Sequence, residues 1–432
     1  MNRFILCLGL ALALSLTISA GEWGQFKGPG GTGVSDEKGL PTEWSKDKGI
    51  KWKAALPSRG VSCPVVFGDR VYVTCSSGTR DDRLHVLCFE ASTGKQLWHR
   101  QLAATGGTAC HPKTCMAAPT PVADATGVYA LFATADLVAF DADGTLRWYR
   151  SLTGDYPTIT NQVGMAASPI LVKDRLIVPM DNDGESFLAA IDTKYGKNVW
   201  KTNRPSGINW VTPFVREQGG KTEVLFAGSN GLTSYDAADG AKRWTYKEGS
   251  GSIPTATVVD DMLYLPGGGV TAVKIGAEGV VGKSLWTAKE LRPGYGSPLV
   301  YRGKVFSVEG QGFIACGDAK SGKVHFQERT KTAFAASPVA GDGKVYCVNE
   351  LGVTFVLKAD ATEFAPLAEN NLGEEVMATP AIANGCLTSV RTSRSGASGS
   401  DRARSAIDHG RRLRAAGPAA FLVVRAMKPL VR

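Results

Sequence analysis

Eight times along this chain a proline opens an apolar run, and the interval to the next is 40 to 57 residues: Pro64, Pro121, Pro169, Pro213, Pro254, Pro298, Pro338 and Pro380. In most units a tight turn and a second apolar run follow. Pro64-Val65-Val66-Phe67-Gly68-Asp69-Arg70-Val71-Tyr72-Val73 is one copy and Pro338-Val339-Ala340-Gly341-Asp342-Gly343-Lys344-Val345-Tyr346 is another. Short strands repeated at a fixed period of this size cannot each bury a core alone. They stack radially into a β-propeller.

The second half of each unit carries a glycine, three residues and an aromatic: Gly94 to Trp98, Gly144 to Trp148, Gly196 to Trp200, Gly240 to Trp244, Gly282 to Trp286 and Gly322 to Phe326. An acid precedes most of these glycines (Glu90, Asp141, Asp192, Asp236, Asp318). An Asp side chain closes a turn on its own backbone, and Gly supplies the positive φ. The Trp then falls on an outer strand, where its ring can bury between blades if its N–H finds a partner.

Trp52, in Ile50-Lys51-Trp52-Lys53, belongs to the same series but has no repeat before it. It reads as the outer strand of the last blade, whose inner strand starts at Pro380. The two chain ends then close one blade and remove the free sheet edges. The fold class is therefore all-β: an eight-bladed propeller of four-stranded antiparallel blades over 49–387, with the last blade closed by the N-terminal strand. Blade 7 is degenerate beyond Leu357, because Ala359 to Leu367 lacks the Gly and the Trp. The last blade is expected to be incomplete, because strand periodicity stops after Leu387.

Cys88-Phe89-Glu90-Ala91-Ser92-Thr93-Gly94-Lys95-Gln96-Leu97-Trp98 and Ala190-Ile191-Asp192-Thr193-Lys194-Tyr195-Gly196-Lys197-Asn198-Val199-Trp200 resemble the tryptophan-docking repeat of the PQQ-like, quinoprotein-type propellers. The resemblance covers roughly residues 50 to 387, and the opening Trp23-x-Gln25-Phe26-x-Gly28-Pro29-Gly30-Gly31 is similar to secreted bacterial members. The family includes quinone-dependent alcohol dehydrogenases and BamB, a non-enzymatic scaffold of outer-membrane protein assembly. The resemblance therefore implies a fold before it implies a function.

Met1-Asn2-Arg3, an apolar stretch from Phe4 to Leu16 and the small Ala20 describe a signal peptide over 1–20, followed by an extension over 21–48. The apolar run is too short to span a membrane. The expected location is periplasmic or secreted. Of the formal net charge of +9, residues 388–432 carry nine arginines, one lysine and two aspartates, or +8. The body is left near neutral, with no electrostatic footprint for nucleic acid. The 388–432 segment reads as a basic, low-order tail, for which a shifted reading frame, a genuine basic extension and an unusual blade all remain open.

Function on a propeller gathers in the loops over the channel mouth, here the segments preceding the eight prolines. Two are long: 103–117 and 153–165, entering adjacent blades. The first holds Cys110-His111-Pro112-Lys113-Thr114-Cys115-Met116. Cys110 and Cys115 are candidates for a small-loop disulfide, or with His111 for a weaker soft-metal site. The second offers Asp155, Tyr156, Asn161 and Gln162, and other pre-proline segments add Asn209, Trp210 and Tyr295. These seven are the candidate ligand or partner residues. Trp52, Trp98, Trp148, Trp200, Trp244 and Trp286 are structural docking residues, and His85, His99 and His325 read as structural.

Enzymes of the resembled family use adjacent cysteines against the quinone and a calcium with an Asp base. No Cys-Cys occurs here, and Asp155 is the only candidate base. The expected function is an exported, non-catalytic, monomeric scaffold for an envelope protein, peptide or glycan, with no cofactor and no catalytic residue. The alternative is a PQQ- and calcium-dependent oxidoreductase.

Overall fold

The structure, a computed structural model, describes residues 21–160, 162–228, 231–248, 251–392 and 420–425. The leader expected over 1–20 and the candidate Asn161 lie outside them. Eight sheets form one ring. Numbered by their prolines, blade 1 runs Val65–Phe67, Arg70–Ser77, Arg83–Glu90 and Gln96–Ala103 from the channel outward, each strand antiparallel to the next. The sole α-helix among the described residues is the turn Leu152–Asp155. Among the described residues no helix is long and apolar enough to cross a membrane.

The docking series acts between blades. An added Cβ on Gly94 would sit 2.5 Å from the Trp52 ring, on Gly144 2.7 Å from Trp98, on Gly196 2.6 Å from Trp148 and on Gly322 2.6 Å from Trp286. Each tryptophan lies flat on a glycine of the following blade, at a position with positive φ (76° at Gly94) that excludes a side chain on both grounds. The indole N–H then donates to a backbone carbonyl beside that glycine: Trp52 to Ala91 (3.0 Å), Trp98 to Ala142 (2.9 Å), Trp148 to Thr193 (2.9 Å), Trp200 to Ala237 (3.1 Å) and Trp286 to Ala319 (3.2 Å). The acids act as the sequence predicts: Asp192 Oδ1 accepts from the amides of Lys194 and Tyr195 at 3.0 and 2.7 Å.

One seam departs from the pattern. Trp244 rests on Gly279, not on Gly282 of the glycine-to-aromatic series, which has open space around it. The outer pair of strands in blade 5, Val270–Gly276 and Gly279–Ala288, extends past the usual turn and closes through Ala277-Glu278. The acid-closed turn and its carbonyl are missing there, and the Trp244 N–H has no acceptor among the described residues.

A second ring of contacts surrounds the channel. In successive blades a hydroxyl accepts the amide proton of its counterpart in the blade before: Cys63 N to Thr120, Thr120 N to Ser168, Ser168 N to Thr212, Thr212 N to Thr255, Thr255 N to Ser297, Ser297 N to Ser337 and Ser337 N to Thr379, all 2.9 to 3.1 Å. The hydroxyl residue usually precedes the repeat proline. In blade 5 it is Thr255, so Ala256 holds the proline place and Pro254 lies two positions early. Cys63 stands at the blade 8 to blade 1 link and turns its thiol to the Pro64 carbonyl (3.3 Å).

The last blade corrects the sequence reading. It is complete, ordered Ile50–Leu56, Ala420–Arg425, Cys386–Thr392 and Ala381–Ala383 from the rim inward. Trp52 pairs with Val424, and Thr388 with the same residue from the other side. The physical reason is the apolar run Phe421-Leu422-Val423-Val424, in which residues 422–424 are buried. Terminal closure by the Trp52 strand is as predicted.

Blade 7 lacks its own tryptophan, and the N-terminal extension supplies one. In blade 1, Trp98 lies across from Cys88, which lies across from Tyr72. The equivalent row in blade 7 is Ala368, Val356 and Tyr346. The small Ala368 leaves room, and Trp44 stands 6.3 Å from the Tyr346 ring, close to the 5.9 Å of Tyr72–Trp98. Tyr346 Oη donates to the Pro41 carbonyl at 2.9 Å, and the Trp44 amide donates to Asn370 at 2.7 Å.

The start of the same extension fills one end of the channel. Trp23 exchanges two backbone bonds with Val66 of blade 1, Gly24 O accepts from Ala123 of blade 2, and Val34–Ser35 pairs in parallel with the inner strand of blade 7. Between them the fully buried Lys27 donates to Thr257 Oγ1 (2.8 Å) and the Pro298 carbonyl (3.3 Å). Burial with no carboxylate partner pushes its pKa down to about 7.

Two outcomes follow from these contacts. Trp200→Phe removes one of the two donors to the Ala237 carbonyl, leaving it Arg175 Nη1 at 3.0 Å, whereas Trp244→Phe removes an N–H that has no acceptor among the described residues. Denaturant unfolding should therefore show Trp200→Phe the more destabilising by about 1–2 kcal/mol; equal losses would contradict the carbonyl's role. For Lys27, the unfolded chain holds a proton that the folded chain has released between pH 7 and about 10, so wild-type stability rises with pH across that window. Lys27→Met should be more stable than wild type near pH 7, with the gain shrinking toward pH 10. A pH-independent difference would refute the buried amine.

Candidate functional site

The end of the channel opposite the plug is crossed by the two long loops, and they meet there. His111 N–H donates to the Val163 carbonyl at 3.1 Å, and Gly164 lies against Cys110. Trp210, from the loop entering blade 4, donates its indole N–H to the Gly164 carbonyl at 2.8 Å. The 103–117 loop extends further across the mouth. Lys113 Nζ reaches both oxygens of Glu350 in blade 7 at 2.8 and 3.1 Å, and lies 5.5 Å over the Tyr295 ring from the loop entering blade 6. Arg59 Nη1 holds the Pro112 carbonyl at 2.8 Å. The strap is thus anchored on both sides of the mouth, with Trp210 and Tyr295 as its aromatic margins.

Of the predicted site residues, Trp210 and Tyr295 stand at this mouth. Gln162 is exposed on the same loop, and Asn161 lies outside the described residues. Three others are placed elsewhere. Asp155 pairs with Arg150 (2.9 and 2.6 Å) beside the outer strand of blade 2. Tyr156 packs on Phe187 and accepts from Asn198 at 2.7 Å on the margin of blade 3. The short helix Leu152–Asp155, N-capped by Ser151, turns both away from the pore. Asn209 is buried and donates to Asp181 (3.0 Å) and to the Ala227 carbonyl (2.9 Å), so it positions backbone. Sequence reading missed Lys113 and Glu350 as a pair, because 237 residues separate them.

Cys110 and Cys115, the disulfide candidates, stand as separate thiols in this structure. Cys110 Sγ faces the Thr114 carbonyl and Cys115 Sγ the Arg59 carbonyl, so the sulfurs diverge. Burial raises both thiol pKa values, which leaves them poor nucleophiles. His111 accepts the Lys113 amide at Nδ1 and does not converge with them. No group of three metal-ligating side chains is present among the described residues.

One further polar chain lies on blade 1: Ser77 Oγ to His85 Nε2 (2.7 Å) and His85 Nδ1 to His99 Nε2 (2.9 Å). Burial, then His99, pushes the His85 pKa down to about 4, so it stays neutral at ordinary pH.

A half-exposed ion pair such as Lys113–Glu350 contributes about 1 kcal/mol or less. Glu350→Gln, or about 1 M salt where screening acts within roughly 3 Å, should speed amide hydrogen exchange across 108–115 and leave global unfolding unchanged. Unaltered exchange in both conditions would show that the pair does not hold the strap.

The family described as outer membrane protein assembly factor BamB matches residues 29–212, 165–281 and 277–364. No curated protein sequence matches. Among solved structures, BamB from Moraxella catarrhalis is similar at a TM-score of 0.57 and 15% identity, over 87% of this chain and 97% of that one. A europium-containing methanol dehydrogenase is similar at 0.68 and 12%, over 87% and 90%. The quinohemoprotein alcohol dehydrogenase from Comamonas testosteroni is similar at 0.68 and 12%, over 94% and 80%. At these identities the structural likeness speaks for the fold alone. The repeat, the docking geometry and a match spanning most of the ring place the chain in the PQQ-type β-propeller family described by BamB.

Proposed function

We propose that this protein is an exported, non-catalytic propeller that binds a protein, peptide or glycan of the bacterial envelope at the strapped mouth. The observation that carries the reading is the Lys113 strap. It draws loops of six blades into one surface, with Trp210 half-buried and Tyr295 44% exposed beside a cation held by the half-exposed Glu350 pair and the Tyr295 ring. Tryptophan and tyrosine rings on a rigid frame are among the residue types that anchor partners. The leader-like start of the sequence and the BamB-described family support an envelope location.

The second reading, a quinone-dependent oxidoreductase, rests on the methanol and alcohol dehydrogenase neighbours. The residues present do not fit that group. The only candidate base, Asp155, is engaged by Arg150 away from the pore. The Trp210 N–H is committed to Gly164, and the strap crosses the space a flat cofactor would enter.

Capture from envelope extract by the full chain, compared with Trp210→Ala and Tyr295→Ala, tests the first reading. Partners retained by wild type and reduced about tenfold or more by either substitution are expected, as for an interface anchor. Identical captured sets would refute it. Stable retention of pyrroloquinoline quinone with calcium, followed by dye reduction with alcohols, would favour the second.

A further inference from the structure

A cleft of about 160 Å³ opens between blades 3 and 4, apart from the strap. Its floor is a buried ion pair: Arg204 Nε and Nη2 hold Asp181 Oδ1 and Oδ2 at 2.7 and 2.9 Å, with 9% and 5% of the two side chains exposed. Arg204 is itself fixed to blade 4, where Nη1 donates to Tyr235 Oη at 2.7 Å and the guanidinium lies 4.0 Å over the Phe226 ring. The walls carry hydroxyls from both blades, namely Ser206, Thr233 and Thr245. At the rim stands Lys242, exposed and without an ion-pair partner among the described residues.

Three constraints narrow what fits. The volume suits one six-membered ring, since a cavity near 150 Å³ is about the size that holds benzene, and it is below the usual range for drug-sized ligands. The lining disfavours an apolar ring, because the hydroxyls of Ser206, Thr233 and Thr245 would lose water there and gain no partner in return. The internal pair cancels its own charge, so the one uncommitted charge is positive. We propose that this cleft binds a single sugar ring bearing a carboxylate, a hexuronate-class ligand. The ring hydroxyls bond Ser206, Thr233 and Thr245, and the carboxylate pairs with Lys242. Arg204, held by Asp181 within blade 3 and bonded to Tyr235 of blade 4, ties the two blades together across the floor, so the site is preformed.

Calorimetric titration of the full chain with glucuronate, glucose and cyclohexanecarboxylate tests this. Glucuronate should bind most tightly, glucose more weakly and cyclohexanecarboxylate not measurably. Lys242→Gln should weaken glucuronate about tenfold, as for one charge-assisted bond, and leave glucose unchanged. Thr233→Val should weaken both sugars. Lys113→Ala and Tyr295→Ala, at the mouth, should alter neither, so failure here is separable from failure of the mouth reading. Absence of glucuronate binding, equal affinity for cyclohexanecarboxylate, an unchanged Lys242→Gln, or loss on altering the mouth would each overturn the assignment.

Discussion

A tryptophan ring lying on a glycine that has no room for a Cβ joins most blades of this ring to the next. The contact is cooperative in a simple physical sense. The ring needs a flat surface, the glycine needs positive φ, and the acid that closes the turn fixes the carbonyl that receives the indole proton. Each condition is set by a different residue, and all three are met together in blade after blade. Large apolar burial and a satisfied buried N–H then come from one side chain.

The channel belt adds a constraint of another kind. A hydroxyl beside the repeat proline receives the amide that the ladder leaves unpaired, so buried backbone donors near the axis are satisfied by the adjacent blade. Docking at the rim and hydroxyl links at the axis fix each blade at two radii. Neither device is complete around the circle. The seam between blades 4 and 5 lacks the indole acceptor, and the step from blade 8 to blade 1 has Cys63 in place of a hydroxyl. At blade 7 the missing tryptophan is replaced by Trp44 from the N-terminal extension, which also plugs the pore with Trp23 and Lys27. Plug, docking substitute and closing strand are consecutive parts of one segment, residues 21–56.

Ring rigidity is what gives the mouth its meaning. The 103–117 strap spans the opening because blades 1, 6 and 7 hold their loops at fixed separation, and Lys113 can meet Glu350 and Tyr295 together. The cleft between blades 3 and 4 depends on the same rigidity, with Arg204 as its spacer. In both places a side chain reaching from one blade to another defines a surface that no local stretch of chain encodes.

The repeat itself, the strand pairs, the docking tryptophans and the closure by Trp52 were all legible in the sequence. They follow from short-range periodicity and from turn chemistry within ten residues. The hydroxyl belt went unread, although Ser or Thr stands beside most of the prolines, and so did the apolar run at 421–424, which the basic stretch before it masked. What only the tertiary structure decided is which loop residues face the pore. Asp155 and Tyr156 sit in the right segment, yet a capped helical turn sends them to the outer margin. Asn209 stands before its proline as predicted and is spent on Asp181. Lys113 and Glu350 meet across 237 residues, and Trp44 finds a vacancy that Ala368 left at the far end of the chain. Periodicity fixes which atoms repeat, while the direction of a loop and the partner of a lone charge are fixed by packing that no local pattern contains.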